Sequence, residues 1–168
     1  MIDRPDLPDQ DLTVLLVEDV AAVREGLCAL LSRHFRVRFA ASAEEAEALL
    51  ERGLRPRVVI SDYDLPGKSG VELLRGVKQR WPHIVGVMLT GVTDLELVRR
   101  ALHEGSVYRF LSKPCDYAEL KQAVDEAMAM SDRELDRERE AGELRFSRES
   151  LRRFNEELEE RVLNKTER

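Results

Sequence analysis

The chain predicts a doubly wound α/β domain, with one five-stranded parallel sheet covered on both faces by helices, followed by a helical extension. Three observations carry this prediction. Short apolar runs alternate strictly with amphipathic stretches across residues 12–130. Most of these runs are unbroken rather than alternating, as strands buried on both faces are. From residue 131 onward the composition changes to interleaved acids and bases with a sparse seven-residue recurrence of leucine. Strict alternation of strand and helix dictates a parallel sheet, because each return to the strand direction needs a helical crossover. Right-handed crossovers then place helices on both faces.

The elements follow in order. Residues 12–17 (LTVLLV) read as a buried strand, and residues 20–32 as a helix with Val23, Leu27, Leu30 and Leu31 at helical spacing. Residues 35–40 (FRVRFA) alternate apolar and basic side chains, the pattern of a half-exposed edge strand. Residues 42–53 (SAEEAEALLERG) form a helix with Ser42 as N-cap and Gly53 as stop. Residues 57–61 (RVVIS) form the next strand, and residues 70–81 a helix. Residues 84–89 (IVGVML) form the fourth strand, and residues 94–104 a helix ending at Gly105. Residues 107–111 (VYRFL) form the fifth strand, and residues 116–130 the fifth helix. Residues 1–11 are polar and acidic and predict a disordered or extended tail.

Composition narrows the function. The 168 residues allow one domain of ordinary size plus an appendage. A net charge of −6 argues against direct nucleic-acid binding, which needs clustered Lys and Arg. No apolar run reaches the length of a membrane span, and the N-terminus lacks the basic-then-apolar order of a signal peptide. Cys28 and Cys115 are the only cysteines and have no metal-like spacing, which fits a reducing cytoplasm. His34, His83 and His103 lack ligand spacing and read as surface residues. Cys115 reads as an exposed bystander.

The residues after the strands carry the chemistry. Glu18 and Asp19 follow the first strand, Asp62 the third, Thr90 the fourth and Lys113 the fifth. In a doubly wound sheet these strand ends share one edge, where ligands bind at the switch point. Three carboxylates together repel one another unless a hard divalent cation neutralises them, and all-oxygen ligation points to Mg²⁺. A lysine adds a point charge suited to phosphate, and a threonine hydroxyl donates to a phosphoryl oxygen. One carboxylate can act as nucleophile and form an acyl phosphate. The set reads as a phosphoryl-transfer site.

These segments (the acidic pair after LLV, then VVISDYDLPGKSG, MLTG and YRFLSKP) resemble, in order and spacing, the receiver domain of bacterial two-component response regulators. The resemblance covers residues 12–130 and implies a flavodoxin-like (βα)5 fold. It implies that Asp62 is the phosphoacceptor, supplied by a sensor histidine kinase or a phosphotransfer protein. It implies that Asp19, Asp62 and the backbone carbonyl of Asp64 ligate Mg²⁺ directly, with Glu18 acting through a metal-bound water. Thr90 and Lys113 would contact the phosphoryl group. Phe110 would be the switch aromatic, with Tyr108 as the alternative, and Lys113-Pro114 would be a cis peptide. The signal would leave through the face formed by the fourth helix, fifth strand and fifth helix. Asp64, beside the acceptor, and Val92, after Thr90, occupy the family's variable positions. The chain would be a phosphoacceptor rather than an enzyme of steady turnover.

Two other classes remain open on the sequence. Asp62-Tyr63-Asp64 superficially fits the Asp-x-Asp of haloacid-dehalogenase-like phosphatases, but Glu18-Asp19 precedes the nucleophile, no cap insertion is present, and Pro66 stands where that family has Thr or Val. The other class is a phosphorylation-independent dimerisation module.

Residues 131–168 predict a helical coiled-coil linker. Leu144, Leu151 and Leu158 recur every seven residues; with these at d, Arg148, Asn155 and Val162 fall at a, and an a-position Asn favours a parallel dimer in register. Glu149–Arg153 and Glu157–Arg161 are favourable i,i+4 pairs. The stretch also resembles the signalling helices that join bacterial receiver domains to outputs. The expectation is a homodimer through this helix, in a fragment of a longer protein whose output domain follows.

Overall fold

The computed structural model describes residues 13–91 and 95–166. The tail expected over residues 1–11 and the position of Val92 lie outside them. The chain divides into two compact units between Asp132 and Arg133.

The first unit contains β1 (Thr13–Val17), α1 (Ala21–Leu31), β2 (Arg36–Ala40), α2 (Ala43–Glu51), β3 (Val58–Asp62), α3 (Gly70–Arg80), β4 (Val85–Thr90), α4 (Leu95–His103) and β5 (Arg109–Ser112). The last element, α5 (Tyr117–Thr166), begins in this unit and makes up the described part of the second. The sheet is wholly parallel in the order β2-β1-β3-β4-β5. The flavodoxin-like doubly wound fold expected from the sequence is therefore present, with β2 at an edge. β1 lies between β2 and β3, so the order reverses there and a crevice opens at the carboxyl ends of β1 and β3.

Alternate residues of each strand feed two cores. Leu15, Val17, Val59 and Met88 pack with Ala46 and Leu50 of α2, Val71 and Leu74 of α3, and Ala101 of α4. Val14, Leu16, Ile60, Val87, Leu89 and Leu111 pack with Leu31 of α1 and Leu120, Ala123, Val124 and Ala127 of α5. The period of two along a strand assigns each residue to its face. β1 and β3 are buried along their whole length, whereas Arg36, Arg38 and Phe39 of β2 are exposed.

Local chemistry sets the helix starts. Ser42 Oγ accepts the Glu45 amide at 3.1 Å, while the Glu45 carboxylate reaches back to the Ala41 amide at 2.8 Å. Ser69 and Glu72 form a reciprocal capping box at α3. Gly53 and Gly105 close the turns after α2 and α4 with φ of 110° and 71°, values that favour glycine.

Several boundaries differ from the sequence reading by one or two residues. The fifth strand begins at Arg109 rather than Val107, although the Tyr108 amide already donates to the Gly86 carbonyl of β4 at 2.8 Å. The third strand runs one residue further and includes Asp62.

In the second unit the helix continues through Gly142 to Thr166. Leu144, Leu151, Phe154, Leu158 and Val162 are all exposed. An i,i+4 ion pair, Arg152–Glu156 at 3.0 Å, forms there.

Candidate functional site

The carboxyl ends of β1 and β3 bring Glu18, Asp19 and Asp62 together, with one carboxylate oxygen from each lying within 4.8 Å of the others. Glu18 and Asp62 are 1% and 7% exposed, and Asp19 faces solvent. The Lys113 ammonium, arriving from the end of β5, bridges the two buried acids: it donates to Glu18 Oε2 at 2.8 Å and pairs with Asp62 Oδ1 at 3.1 Å. Burial alone would pull the Lys113 ammonium down. Its bonds to Glu18 and Asp62 outweigh this and raise it above the ordinary lysine range, so it is charged at neutral pH.

The backbone holds this arrangement at several points. The Glu18 amide donates to the Ala40 carbonyl at 3.1 Å, and Glu18 Oε1 accepts from the Val20 amide at 3.2 Å. The Tyr63 amide donates to the Leu89 carbonyl at 3.0 Å, and the Lys113 amide to the Thr90 carbonyl at 2.9 Å, so β4 braces both neighbouring strand ends. Thr90 is buried at the end of β4 and lies opposite Ser112 in the ladder. The Lys113-Pro114 peptide is cis.

The β3–α3 turn is tied down as well. Lys68 donates its amide to Glu44 Oε1 at 3.1 Å and its ammonium to Glu47 Oε1 at 2.7 Å. Gly67 adopts φ of 79°. Asp64 lies exposed in this turn. Gly70 starts α3 so close to β3 that a Cβ there would lie 2.1 Å from the Asp62 carbonyl oxygen.

Phe110 is half-buried against the core on the α2–α4 face and lies opposite Met88. Tyr108 is exposed and precedes β5. His34 and His103 are exposed, His83 is half-buried, and His34 stacks on Tyr117 with ring centroids 6.2 Å apart. Cys115 corrects the sequence reading: it is half-buried against the α1–α5 core. Burial, and then the nearby Glu119 and Asp116 carboxylates, push its thiol up, which disfavours the reactive thiolate.

Sequence reasoning missed two contributors. Arg24, in α1, donates to the Glu18 backbone carbonyl at 3.0 Å; no local sequence signal marks it. Gly70 acts through close approach, and its position after the Ser69 cap was the available cue.

Among the described residues the donor set consists of carboxylate oxygens, with no nitrogen or sulfur ligand. Such a set fits a hard divalent cation. The site is an acidic pocket beside the Lys113 ammonium, at the switch point of a doubly wound sheet, where ligands of such folds bind.

Comparison with known proteins agrees. Residues 14–125 match the response regulator receiver domain family, and the chain belongs to it. It is similar to the hydrogenase transcriptional regulatory protein HoxA of Cupriavidus necator, 36% identical over 87% of this chain and 30% of that protein. It is also similar to the transcriptional activator protein ExaE of Pseudomonas putida, 40% identical over 69% of this chain and 55% of that one. The chain thus spans about a third to a half of these relatives. Among solved structures it resembles the signal receiver domain of an HD domain-containing protein from Pseudomonas fluorescens Pf-5, with TM-score 0.68 and 35% identity over 72% of this chain and 97% of that one. It also resembles a structure described as adenylate cyclase from Rhodopirellula baltica, with TM-score 0.73 and 32% identity over 76% and 95% of the two chains. Among the described residues no helix is long and apolar enough to cross a membrane.

Proposed function

We propose that Asp62 accepts a phosphoryl group from a phosphohistidine on a sensor histidine kinase or phosphotransfer protein, and that the resulting change leaves through α5. The observation that carries this reading is the Asp62 carboxylate held against Lys113 within the Glu18–Asp19–Asp62 cluster.

In the proposed step an Asp62 carboxylate oxygen attacks phosphorus. The new O–P bond replaces the P–N bond to the donor imidazole, which leaves with the electron pair and takes a proton from solvent. Lys113 neutralises charge on the transferred group, and Thr90 donates its hydroxyl to a phosphoryl oxygen. Asp19, Asp62 and the Asp64 carbonyl would hold Mg²⁺, with Glu18 acting through water. When bound, Mg²⁺ supplies the charge neutralisation that lets anionic carboxylate and anionic donor approach. Water attack on phosphorus later frees Asp62, so the chain is a phosphoacceptor and not an enzyme of steady turnover. An apolar cavity of about 350 Å³ lined by Val23, Leu27, Leu89, Pro114 and Cys115 adjoins Lys113 and supports partner docking over the site.

The new charge draws Thr90 inward and favours rotation of Phe110, with Tyr108 the secondary candidate. This shifts a two-state equilibrium of the α4–β5–α5 face. The exposed stripe of Leu144, Leu151, Leu158 and Val162 supports a homodimer through residues 131–168, whose packing the signal alters. The named relatives include transcription regulators and an adenylate cyclase, so the output is a separate question. The net acidity supports action without direct nucleic-acid contact by this chain, and two free cysteines suit the cytoplasm.

The test is intact-protein mass after incubation with Mg²⁺ and acetyl phosphate, comparing wild type with Asp62→Asn. One phosphoryl group on wild type alone, lost on chelation of Mg²⁺, is expected. No adduct on wild type would refute the assignment and leave the dimerisation reading.

A further inference from the structure

The turn that presents the acidic pair has an unusual start. The residue at the N-cap of α1 is Val20, which offers no side-chain bond, and the first turn of the helix contains no acidic residue. A helix start of this kind leaves amides without partners and is loosely held. Here Glu18 takes one of them, accepting the Val20 amide at 3.2 Å with the same carboxylate that meets Lys113. Its own backbone carbonyl is held from the helix side by Arg24 Nη1 at 3.0 Å.

Arg24 is in turn oriented by an aromatic surface. Its guanidinium lies over the Phe39 ring, 5.3 Å from the centroid. Phe39 is 55% exposed on the edge strand β2, so burial in the core does not account for it. A guanidinium over a ring gains cation–π attraction and loses freedom before it bonds. The next residue of β2, Ala40, accepts the Glu18 amide at 3.1 Å. Edge strand, helix and acidic turn therefore meet at Glu18.

We propose that Arg24, braced by Phe39, is a positioning residue for the acidic cluster: by holding the Glu18 backbone it sets the affinity of the site for a divalent cation. The inference rests on the proposed metal-dependent reading of that cluster. Arg24 touches a carbonyl rather than a carboxylate, so it acts through another residue.

The sign of its effect separates this role from a simple charge. A guanidinium beside three carboxylates repels an incoming cation. Acting through charge alone, its removal tightens Mg²⁺ binding. Acting through position, its removal weakens binding, because the carboxylates must then be ordered at the moment of binding.

The experiment is calorimetric titration of Mg²⁺ into the full chain without any phosphodonor, for wild type, Asp19→Asn, Arg24→Ala, Arg24→Lys and Phe39→Ala, with urea unfolding of each protein in chelator. Wild type is expected to bind one Mg²⁺, and Asp19→Asn to abolish binding. Arg24→Ala is expected to raise the dissociation constant about five-fold, the ratio given by one lost hydrogen bond of ordinary strength. Arg24→Lys keeps the charge without the planar fork and is expected to weaken binding too, and Phe39→Ala to do so less, in the same direction. Unchanged or tighter binding by Arg24→Ala overturns the proposal. If Arg24→Ala fails to fold, unchanged binding by Phe39→Ala and Arg24→Lys overturns it equally. Wild type that binds no Mg²⁺ at this cluster refutes the metal-dependent reading itself, a pattern distinct from either result.

Discussion

Replacing Gly70 with alanine tests the geometry of the site through its backbone. Alanine is normally the better helix residue, by about 1 kcal/mol in a helix interior. At Gly70 a Cβ would meet the Asp62 carbonyl oxygen at 2.1 Å and Ser61 Oγ at 2.9 Å. Ordinary contacts with a Cβ lie beyond about 3 Å, so α3 and the end of β3 must part by about an ångström. Neither partner yields easily: Asp62 is the last residue of β3, paired with Leu89, and Gly70 is fixed through its amide to the Tyr63 carbonyl at 3.2 Å. The cost expected is about 3 kcal/mol, at the upper end of overpacking. Gly76 is the matched control in the same helix, where the nearest atom to an added Cβ, Glu47 Oε1, would lie 4.0 Å away. Gly76→Ala is expected to stabilise by up to about 1 kcal/mol. Urea unfolding of the two variants in chelator measures both. Opposite signs are expected; a Gly70→Ala variant within about 1 kcal/mol of wild type would refute the close approach of α3 to Asp62.

Two further predictions concern pH. Because Lys113 is raised in the folded chain, its contribution to stability is complete below the ordinary lysine range and disappears as pH rises through the raised value. Lys113→Met is therefore expected to be less stable than wild type by about 2 kcal/mol at neutral pH in chelator, with the gap closing in strong alkali; a gap that persists there argues against the Glu18–Lys113–Asp62 bridge. Glu44 is held below the usual carboxylate range by the Lys68 amide first and by its own amide second. The loop contact it makes is thus present above the ordinary glutamate value and lost as pH falls through the lowered one. Protection of the Lys68 amide against exchange, corrected for its intrinsic rate, should fall in acid in wild type and stay level in Glu44→Gln.

Much of this protein is visible in its sequence because the signals are local. Unbroken runs such as LTVLLV mark strands buried on both faces, and FRVRFA marks an edge, where water covers one side. Ser42 and Ser69 mark helix starts because a hydroxyl satisfies an amide three residues on. The site residues were readable because every strand of a parallel sheet delivers its last residue to the same edge. Glu18, Asp62, Thr90 and Lys113 thus share an address although 95 positions separate the first and last.

What the sequence could not reveal depends on distances between segments far apart in the chain. Nothing near Arg24 indicates that it reaches the Glu18 carbonyl, or that Phe39 lies beneath it. The anchoring of the β3–α3 turn by Glu44 and Glu47 depends on how α2 is placed beside α3. Cys115 reads as exposed in a polar sequence context, yet packs against a core assembled from α1 and α5. The sequence by itself determined the alternation of strands and helices, the fold class and the residues gathered at the sheet edge, since period and strand ends are properties of a single segment. Only the tertiary structure decided which of those residues pair, how closely α3 presses on Asp62, and what holds the acidic turn, because these are separations between backbones that meet only when the sheet is packed.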